Sequence, residues 1–160
     1  MSNILKIISS APLSAKFGML VVLIYSIVAI FAPFIAPYGE REILGRSFEL
    51  WSEKYPLGTD NLGRDMLSRM IFGARNTIGL ALSITILAFL LGSLTGMIAA
   101  ALGGWVDQIL SRIVDVLMSI PSLIFALLIL SIFGTSVPYL IATITVIDAT
   151  RVFRLARSTA

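Results

Sequence analysis

Pro56-Leu57-Gly58-Thr59-Asp60-Asn61-Leu62-Gly63-Arg64-Asp65-Met66-Leu67-Ser68-Arg69, followed by Gly73-Ala74-Arg75, is a polar, charge-dense island between two long apolar segments. Pro56 and Gly58 favour a turn, and Thr59 or Asp60 carries the side-chain oxygen to cap a helix starting near Asn61. From there Leu62, Met66, Leu67, Met70 and Ile71 fall at helical spacing, with Arg64, Asp65, Ser68 and Arg69 on the other side. The pattern fits a short amphipathic helix lying along a membrane surface. It fits an ordinary solvated loop equally well. The apolar segments on either side decide the fold class.

Hydrophobic residues make up 58% of the chain and charged ones 13%, against about 25% charged in soluble domains. Mean hydropathy is +0.97. A chain of 160 residues could form one globular domain, but this apolar fraction needs lipid around it. There is no cysteine and no histidine, which removes disulfides, thiol nucleophiles, most zinc sites and the usual acid–base catalyst. No cofactor and no metal are expected. The net charge of +3 is scattered, with no basic run longer than two residues, so nucleic acid is not an expected partner.

Residues 1–16, with Lys6, Lys16 and Ala11-Pro12, read as a cytoplasmic tail. Residues 17–36 are apolar throughout, about the 20 residues a bilayer-spanning helix needs. The competing reading, a cleavable signal peptide, has an apolar core of only about 7–15 residues, and Pro33 and Pro37 sit where its cleavage site would fall. Residues 37–76 form the one long hydrophilic section, with six basic and six acidic residues. Counting Lys and Arg alone argues against placing it outside. An outside loop nonetheless lets the N-terminal lysines and the arginine-rich end share the cytoplasm across four spans.

The second span is expected over Thr77–Leu102. Within and just after it Gly92, Gly96, Ala100 and Gly104 recur every fourth position, a stripe that lets another helix approach closely in lipid. The competing reading is that glycine is simply common in membrane helices. Gly103-Gly104-Trp105 is a tight reversal, and Trp105 suits the lipid–water interface. A third span, Ile109–Phe133, carries Arg112 and Asp115 on one face, where they can neutralise each other. A lone carboxylate there would be costly, so Asp115 needs a partner or water. Pro121, after Ser119, should kink this helix. A fourth span, Tyr139–Leu155, holds Asp148, able to pair with Arg151, and continues the arginine ridge through Arg154 and Arg157. Such a ridge at a helix end ordinarily snorkels to the headgroups.

Pro-Leu-Gly-Thr-Asp-x-x-Gly-Arg-Asp-x-x-Ser-Arg, then Gly-Ala-Arg before a long apolar helix, resembles the dipeptide/oligopeptide/nickel branch of bacterial ABC importer permeases, where it marks the second permease subunit. Gly58, Thr59, Asp60, Gly63, Arg64, Asp65, Ser68, Arg69, Gly73, Ala74 and Arg75 all match. The resemblance runs to about Arg157 but covers only the first half or so of such a subunit. It implies that Asp115, Ser119, Pro121 and Asp148 border a translocation path, and that Arg154 and Arg157 shape its cytoplasmic mouth. For Asp115 and Pro121 plain structural pairing fits as well. It also implies a second permease subunit, two ATPase subunits and an extracytoplasmic solute-binding protein as partners, together with the lipid bilayer. The family's Glu-Ala-Ala…Gly coupling helix is not expected here, because the last glutamate is Glu53. Two further spans are also missing, so the chain reads as a fragment or a truncated product.

The expected protein is all-α, a polytopic inner-membrane protein with about four spans and one amphipathic extracytoplasmic helix. It is read as the N-terminal part of an importer subunit for peptides or a small solute such as nickel, not as an enzyme. Residues 77–160 would form the permease core. With no Gly-x-x-x-x-Gly-Lys-Ser/Thr loop, ATP hydrolysis falls to separate subunits. Two alternatives stand beside this: a membrane-anchored sensor with a ligand-binding outer loop, and an intramembrane enzyme pairing Asp115 with Asp148. The first lacks a cytoplasmic output domain, and the second lacks the flanking Gly and Tyr signatures of intramembrane proteases.

Overall fold

The structure is a computed structural model that describes residues 12–160. The greater part of the expected tail, Lys6 included, lies outside the described residues. The described chain is helical apart from turns and one isolated bridge between Thr59 and Asp65. It divides into two compact units, residues 12–79 and 80–160.

In the first unit α1 runs Leu13–Ile35, 23 residues, or about 34 Å at 1.5 Å per residue, against a bilayer core of about 30 Å. Lys16 therefore sits inside the helix. Pro37 ends it. Its ring pushes Ala36 to extended backbone (ψ 128), and the Ala36 N–H closes the last turn on the Ala32 carbonyl at 3.0 Å.

The polar island does not begin with a helix near Asn61. Gly58 and Gly63 have φ +72 and +75, left-handed values that a helix excludes. A Cβ at Gly58 would strike the Glu49 carbonyl, and one at Gly63 the Gly45 carbonyl. Residues 58–65 are turns, and α2 starts only at Met66, running without interruption to Leu102 over 37 residues. No separate amphipathic helix is present among the described residues. The polar residues 66–76 are the opening turns of α2, eleven residues ahead of the expected start at Thr77.

In the second unit the third apolar segment is two helices, α3 (Gly104–Ser119) and α4 (Ser122–Phe133), bent by 91°. Pro121 is the cause: it has no N–H to give, and it forces Ile120 to φ −87, ψ 127. The expected kink is a complete break. α5, Val137–Thr159, begins with Pro138 in its first turn, where no N–H is needed.

α1 and α2 are long and apolar enough to cross a membrane, and the α3–α4 pair is a third candidate if taken as one bent span. α5 has the length, 23 residues, but its second half carries Asp148, Arg151, Arg154 and Arg157. Gly92 lies against Ala149, Val152 and Phe153, and Gly96 against Phe153, Ala156 and Arg157. Numbers rise together on both helices, so α2 and α5 run parallel. Ala99, Val114 and Phe153 are buried together, with Leu110 packed on them.

Candidate functional site

In the first unit the polar island folds into a clasp centred on Asp60, 6% exposed. Its Oδ1 accepts the N–H groups of Leu62 (2.8 Å) and Arg64 (3.0 Å). Its Oδ2 takes the Arg64 guanidinium at 2.8 Å and that of Arg69 at 2.6 Å. Burial pushes the carboxyl up, but the Arg64 N–H, the Arg64 side chain and the Leu62 N–H overcome it. Asp60 is held well below the usual carboxylate range.

The neighbouring motif residues tie down the incoming loop. Thr59 Oγ1 donates to the Arg46 carbonyl (2.7 Å) and accepts the Glu49 N–H (2.8 Å). The Gly63 carbonyl accepts the N–H groups of Leu44 and Gly45 at 2.9 and 3.1 Å. Asp65 takes the capping position before α2 that sequence spacing gave to Thr59 or Asp60. Its Oδ2 accepts both the N–H and the Oγ–H of Ser68 at 2.7 Å, while Ser68 Oγ accepts the Tyr38 N–H at 3.1 Å. Asp65 and Ser68 are buried, and Asp65 Oδ1 has no hydrogen-bond partner among the described residues. Tyr55, 3% exposed, donates to the Leu44 carbonyl at 3.0 Å. Gly73, Ala74 and Arg75 stand apart on α2; a Cβ at Gly73 would meet open space and Arg75 is exposed.

In the second unit the charged residues join helices that sequence spacing keeps apart. Asp115 does not pair with Arg112. It takes Arg154 of α5 at 2.8 Å, because Arg154 reaches it from the helix packed alongside. Arg157 forks onto Asp107, Nε to Oδ1 at 2.5 Å and Nη2 to Oδ2 at 2.6 Å, the bidentate geometry favoured for this pair. Arg112 has no ion pair among the described residues. Asp148 pairs with Arg151 at 3.5 Å and lies far along α5 from Arg154 and Arg157. Two of the three ridge arginines thus turn to α3.

Ser119 Oγ donates to the Val116 carbonyl at 2.7 Å, and Pro121 stands at the elbow. A cleft of about 170 Å³ opens there between Leu117, Pro121, Phe125, Thr150 and Arg151. Of the glycine stripe, Gly92 and Gly96 touch α5 and Ala100 is half-buried. Gly104 does not continue the stripe: it opens α3 with φ +51 and open space around it. Asp107, fifty residues from Arg157, had no local signal marking it as a partner.

Two helices long and apolar enough to cross a bilayer, with a third candidate in the bent pair, make this a helical membrane protein. Residues 88–160 match the family described as binding-protein-dependent transport system inner membrane component. Residues 14–46 match the N-terminal TM domain of oligopeptide transport permease C. The dipeptide transport system permease protein DppC of Haemophilus influenzae is 33% identical over 151 residues, covering 90% of this chain and 51% of that protein. The di/tripeptide transport system permease protein DppC of Pseudomonas aeruginosa is 34% identical over 149 residues (88% and 49%). The peptide transport system permease protein SapC of Escherichia coli O6:H1 is 36% identical over 121 residues (71% and 41%). Over residues 14–46 and 88–160 the chain is similar to the binding-protein-dependent transport permeases. It spans about half the length of the curated relatives it matches.

Proposed function

We propose that the chain supplies the transmembrane path of an ATP-binding-cassette importer for peptides or a related small solute. It sits as a multi-pass protein in a bacterial inner membrane. The relatives' description as dipeptide and peptide permeases carries this reading. A second permease subunit, two ATPase subunits and an extracytoplasmic binding protein complete the machine. ATP is hydrolysed on the ATPases. Substrate movement follows from a shift between two conformations that bind it differently.

The parallel course of α2 and α5 supports four crossings. Two parallel neighbours need the intervening chain to return across the bilayer, and α3–α4 is that return. Residues 37–76 then lie outside, with the clasp holding this loop against the start of α2. The elbow at Pro121, with Ser119 and the Asp115–Arg154 pair near it, borders the path. Arg157 stands at its inner mouth and Asp148 lies along α5.

The test is uptake of radiolabelled di- and tripeptides by the source bacterium with and without the gene. Loss of ATP-dependent uptake, restored by the gene in trans, is expected. Undiminished uptake of peptides and of nickel in the deletion strain would sink the reading.

A further inference from the structure

We propose that α3 is a hinged strap, clamped to α5 by Asp107–Arg157 and Asp115–Arg154, whose release opens the elbow cleft. Both of its ends are breaks in the helix. At one end Gly103 and Gly104 have φ +58 and +51, with nothing near their missing side chains. At the other, Ile120 is extended before Pro121 and the chain turns through 91°. Between the hinges little apolar surface fastens the strap. Val114 and Leu110 pack with Phe153 and Ala99, whereas Trp105, Ile113 and Val116 are 76%, 52% and 63% exposed. Along α3 the two ion-paired carboxylates, Asp107 and Asp115, bracket that packing patch. Asp115 and Arg154 are each about half exposed, at 52% and 53%, and Asp107 and Arg157 are 21% and 44% exposed. Ion pairs that water reaches are weak and screened by salt, as a releasable clamp requires, and Trp105 at the start of the strap suits the lipid–water interface. The cleft wall on the strap side, Leu117 and Met118, would swing away from Thr150 and Arg151. Every residue of the strap, its clamp and the cleft lies within residues 80–160.

The chain has no cysteine, so Gln108→Cys and Ser158→Cys give two spin labels, one on α3 and one on α5. Their separation is measured by pulsed electron resonance in the 160-residue chain in liposomes. At about 0.1 M salt one short distance is expected; at about 1 M, where the Debye length falls to roughly 3 Å, a second population should appear. It should lie longer by about one helical turn, ~5 Å. Asp107→Asn with Asp115→Asn should show the long population at both salts. Swapping the signs of both pairs should return the short one. A distribution unchanged by salt, or a neutralised variant that keeps the single short distance, would overturn the strap. If the swapped variant loses helicity by circular dichroism, the salt series on the intact clamp still decides the matter.

Discussion

Asp60 shows how much one carboxylate can organise when its oxygens face two backbone N–H groups and two guanidinium groups. Its folded pKa is depressed, so the ionised group stabilises the clasp above the unfolded carboxylate value, and the stabilisation is lost as pH falls through the folded one. Amide-exchange protection at Leu62 and Arg64 should therefore hold level from about pH 7 to 5 and begin to fall below about pH 4. Asp60→Asn should lose that protection already at neutral pH; a protected Asn variant would remove Asp60 from the centre of the clasp. The two kinds of motif glycine should separate as well. Gly63→Ala forces a left-handed alanine, about 1–2 kcal/mol, into the Gly45 carbonyl. Gly73→Ala, in open space inside α2, should instead stabilise by about 0.5–1 kcal/mol. Trypsin cutting after Arg46 and Lys54 reads the difference: faster for Gly63→Ala, unchanged or slower for Gly73→Ala. The motif's membership was legible from residue identity alone. Its geometry was not, because the glycines' φ values depend on the carbonyls of residues 45 and 49, which no local pattern reveals.

At the scale of elements, hydropathy located the apolar segments and misjudged where helices begin. α2 opens eleven residues before its apolar run, since Leu, Arg, Met and Ala propagate a helix in water or lipid alike. Asp65 and Ser68 set the true start. The opposite error fell at Pro121, where a segment read as one span is two helices. The proline was visible, but the size of the bend depends on how both helices pack on α5. The stripe was legible in its first half, where Gly92 and Gly96 meet α5. A Cβ at Gly96 would stand 2.7 Å from the Phe153 carbonyl and 2.9 Å from Ala156 Cβ. Gly96→Leu should therefore push α5 away at a cost of about 1–3 kcal/mol, the usual penalty for overpacking. Leu91→Ile, at a position 46% exposed, should cost far less. Unfolding in mixed micelles of increasing dodecyl sulfate content, followed by circular dichroism, compares them. Equal midpoints would mean that Gly96 is not a packing point.

For the whole molecule, helix length sets how many times the chain can cross. α1 and α2 are unambiguous by length, whereas α4 has 12 residues, about 18 Å, and cannot cross alone. Two arrangements could accommodate this: α3 and α4 cross together as one bent span, or α4 and α5 dip in and return on the same side. The length of α5, 23 residues, favours the first, because a dipping hairpin would leave it no bilayer-length path. Single cysteines at Glu49, Ser136 and Ser158, probed with an impermeant thiol reagent on intact cells, separate the two. Four crossings with the N-terminus inside place Glu49 and the turn at Ser136 outside and Ser158 inside, where the Arg151–Arg157 ridge meets the positive-inside preference. Labelling at Glu49→Cys and Ser136→Cys, with Ser158→Cys reacting only after permeabilisation, is the expected result. Labelling at Glu49→Cys but not at Ser136→Cys would make α4–α5 a re-entrant hairpin. Labelling at Ser158→Cys but not at Glu49→Cys would invert the orientation, and the clasp would then face the cytoplasm.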